Sequence, residues 1–359
     1  IIFSTLQNRL NLAASQSISL AEILKPTLSL TFCFDADKSI TRAGLLADVM
    51  QIAAQLPAKK HYAINLCQER YLFIVAYLAV CIRQQISLLP QNQAPATLEY
   101  LKEHYTESYL ISDDPKLADF HISHSKLNQT STQTFPPITL DAPLSISFTS
   151  GSTGKPKAIT KTWREFQTSA QLALKQLNIE QQTITVVSTA PMQHMFGLET
   201  ALFWVLFSEL NLYNSRPFYP EDIRRLLHSI STEKILISTP RHLKSCSLHS
   251  GKWPALKFIL SSTAPIDREL AQQIEHQLNS PLFELFGSTE TLSFASRQIS
   301  QSDQWQAYDT VHLTQQGEQF VLQGGHIKAP LFLDDHFSIS PQGLFTLLGR
   351  SSDTIKIAG

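Results

Sequence analysis

Along most of the chain, short apolar runs rich in β-branched residues alternate with longer stretches of helical length. "HYAINL" (His61–Leu66) predicts a strand, and the apolar stretch Arg70–Arg83 predicts a helix. A strand at Ser87–Pro90 follows, closed by Pro90. Next come a helix at Leu98–Tyr105 and a strand at Ser108–Ile111, ended by Asp113, Asp114 and Pro115. The pattern resumes with a strand at Ser145–Thr149, a helix over Thr162–Leu177 and a strand at Thr183–Ser188. Further strands are predicted at Lys234–Ser238, Lys257–Ser261 and Pro281–Phe286, with helices at Glu221–Ile230 and Asp267–Leu278. Such alternation means parallel sheets with helices on their faces. After Gln298 the rhythm changes to short strands joined by turns, as in "EQFVLQ" and "GLFTLLG". The expected fold is α/β: two parallel-rich sheets flanked by helices, plus a small antiparallel β-barrel-like subdomain. No internal repeat is visible. The polar, proline-bounded stretch Lys126–Pro137 reads as a linker between two α/β halves. The division expected is 1–140, 141–298 and a small β subdomain at 299–349.

Composition narrows the class. A chain of 359 residues has room for a large core and more than one subdomain. Its formal net charge of −1 argues against a nucleic-acid binder, which would show a basic surplus. The four cysteines, Cys33, Cys67, Cys81 and Cys246, are too far apart for a C-x-x-C site and read as buried free thiols in a reducing cytoplasm. The longest apolar run, Tyr71–Ile82, is too short for a transmembrane helix, which needs about 20 residues. No signal peptide is visible, although the sequence begins at Ile1. A cytoplasmic protein without a transmembrane segment is expected.

The most chemically loaded stretch is "SISFTSGSTGKPKA" (Ser145–Ala158), directly after a predicted buried strand. Gly151 and Gly154 let backbone N–H groups approach a ligand closely. Ser150, Ser152 and Thr153 add hydroxyls, and Lys157 adds a point charge, together a nest for phosphate oxygens. Pro156 forbids direct continuation into a helix, so a mobile loop is expected. A Walker P-loop is excluded, because that pattern needs about four residues between its glycines and then Gly-Lys-Ser/Thr. An isolated Gly/Ser turn would read as a bland surface loop; hydroxyls at nearly every position do not.

"FTSGSTGKPKA" resembles the phosphate-gripping motif of the AMP-forming adenylating enzymes: acyl- and aryl-CoA synthetases, peptide-synthetase adenylation domains and luciferases. "PMQHMFG" (Pro191–Gly197), "SSTAPI" (Ser261–Ile266), "FGSTE" (Phe286–Glu290) and "GRSSDTIKIAG" (Gly349–Gly359) resemble further motifs of that family in the same order. The resemblance runs over roughly residues 40–359. It implies the large N-terminal domain of such an enzyme, with 350–359 as the hinge and Asp353 within it. It implies that Thr149 to Gly154 and Lys157 hold the β- and γ-phosphates. Phe286 would stack on adenine, with Ala264 and Pro265 against adenine or ribose and Gly287 in the same loop. Thr289 would bond the α-phosphate, and Asp335, assisted by Arg350, would grip the ribose. Glu290 and the Thr149 hydroxyl would hold Mg²⁺, a cation that prefers one or two protein oxygens plus phosphate. Glu290, Thr149 and His194 are the implied catalytic set. His194, Phe196, Gly197, Ser262 and Thr263 are the implied acid pocket. Alone, His194 would read as a structural histidine, Glu290 as a solvated carboxylate and Asp335 as an ordinary turn residue.

The departures from the family pattern are local. Ala158, Ser262 and Thr263 stand where glycines are usual, "LDD" (Leu333–Asp335) replaces Thr-Gly-Asp, and Ser352 replaces an acidic residue. The implied reaction joins a small carboxylic acid to AMP, with release of pyrophosphate, using ATP and Mg²⁺. The acyl group then passes to a thiol, of CoA or of a carrier protein's phosphopantetheine. The apolar surroundings "HMFGLETALFWVLF", with only Glu199 nearby, favour an acid without an amine, aryl or fatty. Ser262 and Thr263 in the implied pocket point to a compact one, hence an aromatic or short-to-medium chain acid. Two rivals stand: an amino-acid adenylation domain, and a non-catalytic nucleotide-binding homologue. The sequence stops just past the hinge motif, so as given it is expected to have little activity by itself.

Overall fold

The structure, a computed structural model, describes residues 16–127, 136–150 and 156–350, with the side chains of Ser150 and Arg350 outside the description. Most of the expected linker, Lys126–Pro137, lies outside the described residues.

Among the described residues, twenty of the twenty-two strands and eight helices set the frame of the site. They begin with β1 (Thr31–Phe34), β2 (Ser39–Thr41), α1 (Arg42–Gln55), β3 (Tyr62–Asn65), α2 (Arg70–Ile82) and β4 (Ile86–Leu89). Then come α3 (Pro95–His104), β5 (Ser108–Ser112), β6 (Phe120–His121), β7 (Pro143–Ser150) and β8 (Pro156–Thr162). The next are α4 (Trp163–Gln176), β9 (Thr185–Ser188), α5 (195–206), β10 (Asn211–Tyr213), α6 (Pro220–Ser229) and β11 (Lys234–Ser238). After them follow α7 (Pro240–Ser247), β12 (Phe258–Ser261), α8 (Arg268–Leu278), β13 (Leu282–Ser288), β14 (Leu292–Arg297) and β15 (Gln306–Ala307). The last strands are β16 (Val311–Gln316), β17 (Gln319–Gly324), β18 (Ile327–Leu333), β19 (Asp335–Ile339) and β20 (Phe345–Arg350).

Local sequence accounts for the helix limits. Glu69 caps α2, its carboxylate accepting from the Tyr71 and Leu72 amides, and Gln84 turns the chain out at φ 55°. Thr162 and Glu165 form a reciprocal capping box at the start of α4. Asp267 caps α8, which ends on Asn279 in the left-handed conformation. Helix α2 is apolar almost throughout, and every one of its residues is buried. A helix of that kind must be enclosed on all sides.

The six-stranded sheet has the order β8-β7-β4-β3-β5-β6, and the nine-stranded sheet the order β15-β14-β13-β12-β11-β9-β10-β1-β2. From β13 to β1 the larger sheet is parallel, and antiparallel strands close both its ends. Sheet membership departs from the expected division at 140/141. Strands β7 and β8 join the first sheet, through the parallel β4–β7 pair, whereas β1 and β2 join the second beside β10. Pairing across such distances follows burial, which local pattern does not encode. The antiparallel regime also starts before Gln298, at the β13–β14 hairpin. The small subdomain consists of the antiparallel sheet β16-β17-β18 and the β19–β20 hairpin. One apolar core runs through both large sheets, and all four cysteines are free and buried. Burial pushes the Cys33 and Cys81 thiols far above the usual range, so they are inert.

Arg42 ties α1 to the end of α5. Its buried Nη2 donates to the carbonyls of Val205 and Ser208 at 2.8 Å and of Leu210 at 2.9 Å. Arg42→Met should therefore strand several buried carbonyls and lower stability by about 3 kcal/mol. Urea unfolding reads this directly, and an unchanged midpoint would remove the guanidinium from the list of essential ties.

Candidate active site

The phosphate-motif segment folds as a hairpin. β7 and β8 pair antiparallel with Lys157 opposite Thr149 and Pro156 opposite Ser150. Pro156 sits at the first residue of an edge strand, where a missing N–H costs little. The chain thus continues as a strand from Pro156, after the glycine-rich segment of the sequence. Gly151, Ser152, Thr153 and Gly154 themselves lie outside the described residues, as does the hinge with Asp353.

Across from this hairpin stands the turn Ser288–Thr291, between β13 and β14. It is held internally by two hydroxyls. The Ser288 amide donates to Thr291 Oγ1 at 2.8 Å, and the Glu290 amide donates to Ser288 Oγ at 3.2 Å. Gly287 is required by backbone packing, since a Cβ there would lie 2.1 Å from the Leu292 carbonyl oxygen. Thr289 and Glu290 are half-buried at the tip. Lys157 Nζ lies 3.3 Å from Glu290 Oε1, joining the two motifs across 133 positions of sequence. Burial raises the Glu290 carboxyl, but its own amide, Lys157 and Ser288 outweigh that and hold it below the usual carboxylate range.

The remaining expected residues sit around the same strand ends. Phe286 is half-buried in an aromatic cluster, 5.0 Å from Trp305, 5.3 Å from Phe294 and 5.9 Å from both Phe337 and Phe345. Phe337 and Phe345 belong to the β19–β20 hairpin, which begins with the half-buried Asp335, paired in register with Arg350. The cluster therefore packs that hairpin against β13. Ser262 Oγ donates to the Leu285 carbonyl at 3.1 Å, while Thr263, Ala264 and Pro265 are exposed at the end of β12. Thr263 adopts φ 84°, a conformation costly for a β-branched residue where a glycine would be at ease.

His194 is the N-cap residue of α5. Loss of water around it, then the Arg216 charge, lower its pKa from the ordinary histidine value. Phe196 is half-buried. Gly197 is buried where a Cβ would meet the Pro191 carbonyl oxygen at 2.0 Å, so its role in the segment is close backbone contact. An open cavity of about 210 Å³ is lined by Met192 and Gln193, just before His194, together with Glu69, Arg70 and Arg216. None of the expected acid-pocket residues lines it.

Sequence reasoning missed the role of three buried polar groups beside the Glu290 turn, of which it named only Glu199. Lys161 pairs with Glu165 at 2.9 Å and also donates to the Glu290 carbonyl. Glu199 accepts from Ser169 Oγ at 2.7 Å and from Ser293, within a π-helical turn of α5. His326 Nε2 bonds the Thr291 carbonyl at 2.7 Å. Each is a lone polar residue in an unremarkable stretch, so no local pattern marks it. Among the described residues there is no cluster of three or more His, Cys, Asp or Glu that could hold a metal, and no helix long and apolar enough to cross a membrane.

A family model for AMP-binding enzymes matches residues 31–317. The chain belongs to that family, the AMP-forming adenylating ligases. It is 27% identical over 235 residues to a Staphylococcus aureus (strain COL) protein that carries the provisional name of a long chain fatty acid-CoA ligase, covering 64% of this chain and 48% of that one. It is 29% identical over 150 residues to the 2-succinylbenzoate–CoA ligase of Listeria monocytogenes serotype 4b (strain F2365), covering 42% of this chain and 32% of that one. The matched region thus spans at most about half the length of these relatives. The fold is similar to that of O-succinylbenzoate coenzyme A synthetase from Bacillus subtilis in complex with ATP and magnesium ion (TM-score 0.80, 18% identity, 96% of this chain and 82% of that one). ATP-bound MatB from Rhodopseudomonas palustris is similar too (TM-score 0.80, 16% identity, 94% and 79%). At these identities the likeness establishes the shared fold alone.

The buried His326 yields a pH prediction. Burial, chiefly, depresses its pKa from 6.5 to about 4, so the unfolded chain binds the proton more readily than the folded one. Stability should be complete above pH 6.5 and fall towards pH 4, with this residue contributing a loss on the order of 3 kcal/mol. His326→Gln keeps a donor for Thr291 and does not titrate. Urea midpoints measured across that range should fall less steeply in the variant than in the natural protein; parallel slopes would contradict the assignment.

Proposed function

We propose that the protein activates a carboxylic acid with ATP, forming an acyl-adenylate and pyrophosphate, and passes the acyl group to a thiol. The observation that carries this reading is the meeting of Lys157 and Glu290 at 3.3 Å, which brings the phosphate motif and the acidic motif to one place. In the first step a carboxylate oxygen of the acid attacks the α-phosphorus of ATP, and the bond to the bridging oxygen of pyrophosphate breaks. Little covalent chemistry falls to the protein; it must align the nucleophile and neutralise phosphate charge.

In this reading Thr149 and Lys157, on the paired strands β7 and β8, act with Ser150 and the glycine-rich residues Gly151 to Gly154 on the β- and γ-phosphates. Phe286, Ala264 and Pro265 bind the adenosine, Asp335 and Arg350 the ribose, and Thr289 the α-phosphate. The residues fit a hard divalent cation: Glu290 offers a partly exposed carboxylate held in its charged form, and Thr149 lies across the strand from Lys157. Mg²⁺ bound there with ATP supplies neutralisation of phosphate charge. Lys157, 3.3 Å from the carboxylate that would hold the cation, would offer its ammonium to phosphate oxygens. His194, Phe196, Gly197, Ser262 and Thr263 form the side that receives the acid. Burial and the Arg216 charge favour the neutral form of His194, which offers one ring nitrogen as donor and the other as acceptor.

The apolar sequence around His194 favours an acid without an amine, and the bulk of Ser262 and Thr263 where glycines are usual favours an aryl or short-to-medium acyl group. The names of the relatives support CoA as the acceptor. A carrier-protein phosphopantetheine is the alternative acceptor, and a cytoplasmic location suits either thiol.

Pyrophosphate exchange by the protein at its natural full length, across a panel of aryl, acyl and amino acids, tests the reading. Exchange dependent on an aryl or acyl acid is expected. Exchange with amino acids alone would move the protein to the peptide-synthetase class, and none with any acid would favour a non-catalytic homologue. Glu290→Gln should lower the rate by roughly tenfold to a thousandfold. A rate unchanged at limiting Mg²⁺ would take Glu290 out of the metal site.

A further inference from the structure

The turn that presents Glu290 is anchored from outside by three separate elements. Lys161 Nζ, on β8, donates to the Glu290 carbonyl at 2.5 Å. His326 Nε2, between β17 and β18, lies 2.7 Å from the Thr291 carbonyl. A carbonyl only accepts, so the ring proton is on Nε2. Glu199, in the π-helical turn of α5, accepts from the Ser293 amide at 3.1 Å and from the Ser293 hydroxyl. The relative exposures are 4% for Lys161, 5% for His326 and 2% for Glu199.

Burying a lysine, a histidine and a glutamate costs desolvation that apolar side chains would avoid. The β13–β14 ladder already pairs Gly287 with Ser293 and Ser288 with Leu292, so the hairpin does not need them for its register. What the three share is their target: the backbone from Glu290 to Ser293. Their elements also lead to other parts of the site. β8 carries Lys157, α5 starts from His194, and the β17–β18 turn belongs to the small subdomain.

We propose that Lys161, His326 and Glu199 are positioning residues that hold the Glu290 turn at a fixed place relative to the phosphate hairpin and the acid segment. The inference rests on the functional reading above, in which Glu290 meets a divalent cation together with ATP. A carboxylate that must meet both a cation and a phosphate gains from being held within a fraction of an ångström, and the three anchors supply that from three directions. Held loosely, the turn would still fold and still bind nucleotide through other contacts, but the cation would add less.

Calorimetric titration of the full-length protein with ATP, in the presence and absence of Mg²⁺, tests this without relying on turnover. The natural protein is expected to bind ATP more tightly with Mg²⁺. His326→Leu removes the donor to Thr291 and should lose about tenfold or more of the Mg²⁺-dependent gain, with Mg²⁺-free ATP affinity unchanged within about twofold. His326→Gln keeps a donor and should restore most of the gain. Lys161→Met should behave as His326→Leu does; if it fails to fold because Glu165 is left unpaired, the two His326 variants decide. A full Mg²⁺ gain in His326→Leu overturns the proposal and leaves the functional reading standing. So does an equal loss in His326→Gln, or a loss that is as large with Mg²⁺-free ATP, which would mark a merely structural role. No ATP binding by the natural protein, with or without Mg²⁺, overturns the functional reading and this proposal with it.

Discussion

Arg70 and the helix it begins are the constraint on which the rest of the structure depends. Helix α2 follows β3 of the first sheet, yet the guanidinium at its start belongs energetically to the second. Arg70 donates to the Ser188 carbonyl at 2.8 Å and to the Tyr213 carbonyl at 3.0 Å, at the ends of β9 and β10. Farther along, Tyr77 packs edge-on against Phe203 of α5, with ring centroids 6.1 Å apart. Complete burial of an apolar helix is stable only where both sides are covered, and here the covering includes elements of both sheets. Burial lowers the Arg70 pKa to about 10, and at neutral pH it remains a full charge neutralised by carbonyl dipoles. The strand ends of the two sheets are thereby locked together at the level where open α/β sheets bind ligands.

On that fixed platform the site is assembled from turns, each shaped by a different local device. Gly197 and Gly287 are backbone contacts that admit no Cβ. Ser288 and Thr291 tie the acidic turn from within, and buried polar groups tie it from outside. Electrostatics then sets the charge states. Glu290 stays ionised beside Lys157, whereas burial raises the Glu199 carboxyl, against its hydrogen bonds to Ser293 and Ser169. The half-buried carboxylate is the one suited to a ligand, and the fully buried one to structure.

Much of the alternating frame was legible because it rests on local signals. Strand Lys234–Ser238 and helix Arg268–Leu278 follow apolar runs and caps readable in the sequence. Strand Pro156–Thr162 was not, since "PKAITKT" is a polar edge strand with its first half exposed, and its partner rather than its pattern makes it a strand. β1 and β2 escaped for the same reason: they are short and belong to a sheet built mainly from residues more than a hundred positions later. The motifs Thr149–Gly154, Pro191–Gly197 and Phe286–Glu290 were legible as motifs, because each is a run of consecutive residues. Lys161, Glu199 and His326 were not, because a buried polar residue is recognisable only once its partners are in place.

The central claim is that the strand ends joined through Arg70 form one site for adenosine, phosphate and acid. The most direct test is a crystal structure of the full-length protein with a non-hydrolysable acyl-adenylate mimic. The account predicts adenine against Phe286 and the Ala264–Pro265 turn, the ribose at Asp335, and the phosphate mimic between Thr289 and the β7–β8 hairpin, with the acyl group beside His194. A mimic bound in the cavity lined by Glu69, Arg70 and Arg216, with those residues untouched, would contradict it.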